Sequence, residues 1–585
     1  MQTEGISMQP YAEINASYGS FNAHKETVKF GTGLLKDHWA FDARLSNIGT
    51  DGYIDRASVD LYSFYAQGGY FADNTSVKFI TFGGKEKTYH AWNYATKEEM
   101  KKYGRRFNSC GMYTDDDGHI RFYKDQTDNY LQMNYQLLLN HTFSAAWNLN
   151  AALHYTKGDG YYQEYKEDRS LKEYRLHPFM YDGKEVEKSD LIRQKKMDNH
   201  FGGGVFSVNY RNEKLDASLG GALNYYDGWH FGRVIWVKNY IGELLPDHEY
   251  YRNKAKKTDG NLYLKANYNL VAGLNAYADL QYRYINYKIH GDNDKYDYNT
   301  DGLQKLAVND HFNFFNPKAG LNWDIDSNNR VYASFSVAQK EPTRNNYTDG
   351  NADEYPKAEK LYDYELGYTY RNTWLSAGVN FYYMDYKDQL VLTGELNEIG
   401  EAMARNVPDS YRTGVELMLG VKPCRWFQWD INGTLSKNRV KNFTEKLYED
   451  EWKNPIEVEH GNTPIAFSPD FILNNRFSFS HKGFEAALQS QYVSKQYMSN
   501  AKQAEQTLDA YFVSNLNLAY TFQLRHVKSV TVGFTIYNLF NEKYENNGYA
   551  GSGYTLKDGK PERYNYAGYA AQAGTNVMGN ISIRF

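Results

Sequence analysis

Apolar and polar residues alternate one by one along much of this chain, and that period constrains its fold more than any other feature. Side chains of a strand point to opposite faces, so each alternating run is a strand with one greasy side and one wet side. In TVGFTIYNLF, Val532, Phe534 and Ile536 alternate with Thr531, Gly533 and Thr535. Near the end of the sequence, Ile581, Ile583 and Phe585 alternate with Asn580, Ser582 and Arg584. In LYDYELGYTY the apolar set is Tyr362, Tyr364, Leu366 and Tyr368, and the polar set is Asp363, Glu365, Gly367 and Thr369. The wet face is either the outside of a soluble sandwich or the lining of a wide barrel.

Connection lengths separate the two. Short polar turns stand near 34–37, 143–146, 210–213, 326–329, 371–373, 422–425 and 481–483. Longer polar and aromatic connections lie near 84–127, 157–196, 227–258, 288–310, 339–359, 393–411, 438–468, 493–509 and 540–573. Short and long alternate almost throughout, as in a transmembrane antiparallel β-barrel with tight turns on the periplasmic rim and long loops outside. A soluble sandwich has no reason to gather its long loops on one rim, and a propeller needs a blade-length repeat that is absent. The expected fold is therefore an all-β transmembrane barrel of about 22 strands occupying residues 1–585, without a linker or second domain. Only a closed sheet leaves no backbone group unpaired in lipid, so PYAEINASYGSF should pair with GNISIRF.

Composition agrees. The mean hydropathy of −0.75 leaves no run near the roughly 18 apolar residues of a helical span, whereas a barrel strand needs only about 9–11 with alternate residues facing lipid. The 56 Tyr, 31 Phe and 10 Trp suit the aromatic belts of a membrane–water interface. A net charge of −5 gives no basic face for nucleic acid. Cys110 and Cys424 are too few for a disulfide framework, and MQTEGISMQPYAEINASYGSF has no secretion-signal pattern.

Specific strings then carry a family resemblance. EPTRNNYTDG at 341–350 and YPKAEKLYDYELGY at 355–368 resemble the mid-barrel signature of TonB-dependent receptors, outer-membrane barrels of Gram-negative bacteria. NVPDSYRTGVEL at 406–417, FSPDFILNN at 467–475, YVSKQYMSN at 492–500 and IYNLFNEKYENNGY at 536–549 continue it in order to the terminal NISIRF. YGSFNAHKETVKFGTGLL and LSNIGTDGYIDRASVD resemble the first strands of the Bacteroidetes branch, and Phe585 the terminal aromatic read by the barrel-assembly machinery. The resemblance implies a signal peptide, a TonB-binding segment and a plug domain ahead of the barrel. Residues 1–9 look like the tail of that plug, so the expectation is a barrel portion of a longer receptor.

That family imports scarce ligands with energy delivered through TonB. The resemblance favours a ferric siderophore or related iron complex, then cobalamin or haem; sugar import with a surface lipoprotein is a further option. A passive porin-like channel is the alternative if no plug accompanies the barrel. No cofactor is expected.

For ligand capture, WHFGRVIWVKNY reads as a loop concentrating Trp229, His230, Arg233, Trp236 and Tyr240, suited to an aromatic or anionic chelate through stacking, cation–π contact and charged hydrogen bonds. Arg344 and Tyr347 form a second candidate. Aromatic packing among loops would use the same residues. Asp363, Glu365, Asn515, Asn517, Asn580 and Arg584 should face the lumen, where they solvate it or bind a plug. Two acidic tips, TDDDGH at 114–119 and DNDKYDYNTDG at 292–302, lack the ligand spacing of a calcium loop and read as solvated, so no metal site is expected. No H-E-x-x-H, G-x-S-x-G or phosphate loop occurs, and GTGLLK at 31–36 lacks the third glycine; the chain does not read as an enzyme.

Overall fold

The computed structural model describes residues 5–241, 244, 248–298, 300–349, 355–397, 400–449 and 453–585, with Lys453 by its backbone alone. Residues 1–4 of the plug-like tail, Asn299 of the second acidic tip and Gly350 of the mid-barrel signature lie outside the described residues. So do parts of the connections expected at 227–258, 339–359, 393–411 and 438–468.

Twenty-two strands form the wall. They are β1 (Pro10–Gly19), β2 (His24–Thr32), β3 (Trp39–Thr50), β4 (Val59–Phe71), β5 (Thr75–Tyr89), β6 (Thr127–Thr142), β7 (Trp147–Ser170) and β8 (Lys188–Arg211). Next come β9 (Leu215–Val237), β10 (Glu249–Val271), β11 (Leu274–Asp297), β12 (Gly302–Asp324), β13 (Asn329–Lys340), β14 (Glu359–Arg371) and β15 (Leu375–Leu396). The last are β16 (Ala402–Cys424), β17 (Phe427–Glu449), β18 (Phe471–His481), β19 (Phe484–Val493), β20 (Tyr511–Leu524), β21 (Val527–Tyr537) and β22 (Asn576–Arg584). Each pairs antiparallel with the next, and β1 closes on β22 with Glu13 opposite Arg584 and Gly19 opposite Met578, as the strand pattern required. The main chain of Phe585 adds a bond to Ala12 O at 2.9 Å. One further strand, Lys453–Pro464, pairs among the described residues only with the upper part of β17.

One rim holds the tight turns. At 482–483, Lys482 and Gly483 both have positive φ, 48° and 82°, between the facing residues His481 and Phe484. This is the two-residue geometry whose twist matches an antiparallel pair. The outer wall exposes Leu45, Leu153 and Leu223 at 60, 62 and 63% of their surface, among many other large apolar side chains. So broad an exposed apolar surface marks a face made for another apolar phase. The packed clusters sit at the opposite rim, where Leu171, Tyr174, Leu191, Val234 and Tyr250 are almost fully buried.

The far rim departs from the sequence reading. Most of the supposed long loops are strand: β7 runs to Ser170, β9 to Val237, β11 to Asp297 and β15 to Leu396, and the connections after β11 and β15 shrink to 298–301 and 397–401. Beyond the membrane both faces of a strand meet water, so the alternation that marks it in lipid fades while the backbone still pairs. The first connection on this rim, 20–23, is short as well.

Candidate functional site

The tall strands enclose a cavity of about 1090 Å³ at the upper mouth. Strand register builds its wall. Glu86 on β5 faces Tyr130 on β6, then Gly160 on β7, Met197 on β8, His230 on β9 and Asn253 on β10. The row above runs Asp128, Tyr162, Lys195, Gly232 and Tyr251. Alternation puts both rows on one face, since Leu131, Tyr155 and Trp229 stand exposed on the other. Gly160 has a packing role: a Cβ there would lie 2.6 Å from Tyr130 Cδ2, so only glycine lets that ring lie against the wall.

Higher on the wall Glu164 and Arg193 face each other, 1% and 2% exposed. Arg193 Nε donates to Glu164 Oε2 at 2.9 Å and Nη1 to Tyr174 OH at 3.3 Å, while Lys166 Nζ approaches Glu164 Oε1 at 3.1 Å. Burial alone would raise the Glu164 carboxyl, but Arg193, Lys166 and Lys195 outweigh it and bring it down to about 2. Lys195 also pairs with Asp294.

Arg344 enters from the loop after β13. Thr343 N–H donates to Asn346 Oδ1 at 2.8 Å and starts the one-turn helix Arg344–Thr348. The Arg344 side chain descends to Asn253, with Nη2 donating to Oδ1 at 2.9 Å, while Nη1 is buried without a hydrogen-bond partner among the described residues. His230 Nε2 is likewise buried and unpartnered. Burial first, and then the charge of Arg344, lowers the His230 imidazole to about 3, so the ring is neutral at ordinary pH.

Of the seven residues singled out for ligand contact, only His230 and Arg344 line this cavity. The stretch 229–240 is not a loop: through Val237 it is the top of β9, and a strand sends successive side chains to opposite faces. Trp229 lies on the outer face under Lys254 and Arg252, with charge-to-ring distances of 4.6 and 5.1 Å. Arg233 stacks over Phe231 at 5.2 Å, Trp236 meets Tyr165 at 6.0 Å and Tyr240 packs on Phe179 at 5.1 Å. Tyr347 is a packing residue: its buried hydroxyl donates to Asp310 Oδ2 at 2.6 Å, and burial, then Asp310, raises it far above the usual phenol range.

Asp363 and Glu365 lie on the face of β14 opposite the exposed Tyr364 and Leu366. Asn515 Oδ1 accepts from Asn538 N at 2.9 Å and Asn517 Oδ1 from Thr535 Oγ1 at 3.0 Å. Asn580 faces Gly533 and Ser17, and the Arg584 guanidinium stands 5.5 Å over the Tyr11 ring. At the first acidic tip Asp115, Asp117 and His119 come together, with Asp115 already accepting from Arg121 Nε at 2.8 Å. At the second, Asp292 is ion-paired to Arg175 and Lys305.

The wall residues Glu86, Asp128, Tyr130, Tyr162, Arg193 and Lys195 were not read from the sequence. They come from four strands, and the one local signal was an inward run of charged and aromatic residues in GDGYYQEYKED, which sequence alone assigned to a loop.

A family model described as TonB dependent receptor-like, beta-barrel, matches residues 72–539. The pesticin receptor of Yersinia enterocolitica (serotype O:8 / biotype 1B) is 24% identical over 225 residues, 38% of this chain and 30% of that protein, so the match spans under a third of its length. Among solved structures, the ferric yersiniabactin uptake receptor FyuA from Yersinia pestis superposes with a TM-score of 0.70 at 14% identity, covering 100% of this chain and 81% of that one. The siderophore receptor PiuA from Acinetobacter baumannii gives 0.71 at 11%, covering 100% and 82%. At these identities the two structures speak for the fold alone. With most of its length matched by that family model and its wall closed in the same architecture, the chain belongs to the TonB-dependent receptor β-barrel family of outer-membrane barrels.

Proposed function

We propose that this chain is the barrel of an outer-membrane importer that captures a scarce chelate at its crown and passes it inward with energy supplied through TonB. The ligand class is a ferric siderophore or related iron complex, with cobalamin and haem next. The observation that carries this reading is the crown cavity, large enough for a chelate and holding two buried polar groups without a partner among the described residues, Arg344 Nη1 and His230 Nε2. A buried donor without a partner is costly, and a ligand atom would satisfy it. The two relatives named for ferric yersiniabactin uptake and siderophore reception support the same class. In this reading Arg344 and His230 contact the ligand, and Asp363, Glu365, Asn515, Asn517, Asn580 and Arg584 line the polar path below.

The crown also argues against a passive channel. A hairpin, Glu545–Lys557 with Lys560–Ala571, follows β21 yet packs against β15 and β17. Arg563 Nη1 and Nη2 bind Glu445 Oε2 and Oε1 at 2.6 and 3.0 Å. A cover braced on distant strands has no use in an open pore. The test is uptake of radioactive iron, supplied as a panel of ferric siderophores, by cells producing the receptor from its full reading frame. Uptake abolished by collapsing the proton gradient is expected. Tight cobalamin binding without affinity for any iron chelate would overturn the ligand class, and gradient-independent leakage of small sugars would favour the channel.

A further inference from the structure

We propose that the crown cavity is built for a dipolar ligand, an extended molecule with a cationic group at one end and a carboxylate or similar anion at the other. The proposal rests on the cavity being the capture site. The row from Glu86 to His230 crosses five neighbouring strands, so at about 4.8 Å per step its ends lie roughly 19 Å apart along the wall.

Opposite uncompensated charges stand at those ends. At the first, Glu86 and Asp128 are diagonal neighbours on the inner face, Asp128 opposite Thr88, and neither is ion-paired among the described residues. At the second, Arg344 descends beside His230, and among the described residues it meets no carboxylate at ion-pair distance. Between them the charges cancel locally, Arg193 with Glu164 and Lys195 with Asp294. Four further carboxylates line the cavity: Glu173 is paired with Arg169, Asp297 accepts from Thr300, and Asp349 and Glu401 accept from Asn397 and Asn345.

This pattern discriminates by charge. A ligand carrying several negative charges would press one against Glu86 and Asp128, while a neutral one would leave both ends unanswered, and unpaired charges in a desolvated site are costly. Burial, and then the neighbouring Glu86, already holds the Asp128 carboxyl above its usual range, a strain that a ligand ammonium would relieve.

The test is a binding titration of the full chain in detergent. The probe is a linear tris-hydroxamate with a free amine at one end and a carboxylate at the other, measured with and without iron, beside its N-acetylated and C-amidated forms. The doubly charged probe should bind at least about tenfold more tightly than either capped form, since each lost charge contact is worth about 1.4 kcal/mol or more. Glu86→Gln with Asp128→Asn should erase only the preference for the free amine, and Arg344→Gln only that for the carboxylate. Heat-dependent gel mobility identifies variants that fail to form the barrel. Capped forms that bind as tightly as the doubly charged probe overturn the proposal, as does absence of binding by every form. Equal binding with and without iron removes the iron reading and leaves the dipolar site standing.

Discussion

Two arcs of the same sheet differ sharply in height. Strands β7 to β12 are 23 or 24 residues long, whereas β18, β19, β21, β22, β1 and β2 have between 9 and 11. A crossing needs only about 9–11 residues, so the low arc is little more than a crossing and the tall arc carries more than half its length beyond it. The tall arc, with β5 and β6 beside it, makes most of its site from the wall itself by lateral pairing, and the loop after β13 adds Arg344. The low arc is topped by separate pieces that lean on one another: Met498, Leu508, Ala550 and Tyr569 pack together, and Asn500 Nδ2 reaches Leu392 O at 2.8 Å. Lipid fixes a minimum strand length, and the excess beyond that minimum is where binding chemistry is placed.

The sharpest way to break the contrast is to unpair the tall arc's buried ion pair. Glu164→Gln removes the buried carboxylate that faces both Arg193 and Lys166, and breaking a buried pair of this kind costs about 3–5 kcal/mol. Hydrogen exchange should speed up at the tops of β7 and β8, while the barrel still runs as a folded species. Exchange unchanged there would mean the tall wall does not depend on that pair. In the low arc's cover, Leu508→Ala should cost slightly less, about 2–4 kcal/mol, by opening a cavity in the loop cluster. Protease cleavage within 545–571 should then rise, and no change would show the hairpin held by polar contacts alone.

A third effect depends on pH. His230 sits at about 3 in the fold against an ordinary 6.5, so the opened crown binds a proton more readily than the closed one between those values. Crown stability is therefore fully present above 6.5, declines as pH falls from there, and levels off below about 3. Histidine-labelled NMR should find the His230 ring still neutral at about pH 5, midway through that window; a protonated ring there would place it in open solvent. The smallest effect belongs to the turn rim, where Arg211 and Asp216 form an exposed pair. Arg211→Ala should shift thermal stability by less than about 0.5 kcal/mol. A larger loss would mean that the turns, and not the wall, set the stability of the tall arc.

The barrel is legible in the amino-acid sequence. Alternation in residues 531–536 and 580–585, tight turns such as 143–146 and the pairing of the first run with the last all follow from the period of a strand and from the need to leave no sheet edge in lipid. The crown is not legible in the same way. WHFGRVIWVKNY reads as one aromatic loop, yet as strand it sends Trp229 and His230 to opposite faces, and of its five chosen residues only His230 reaches the cavity. Sequence by itself determined that the chain closes as a barrel, because strand period and turn chemistry act within a few residues of the chain. Which residues meet was decided only in the tertiary structure. Glu86, Asp128, Gly160, Met197, His230 and Arg344 lie far apart in sequence, and a slip of one residue between any two strands would have turned each partner to the other face.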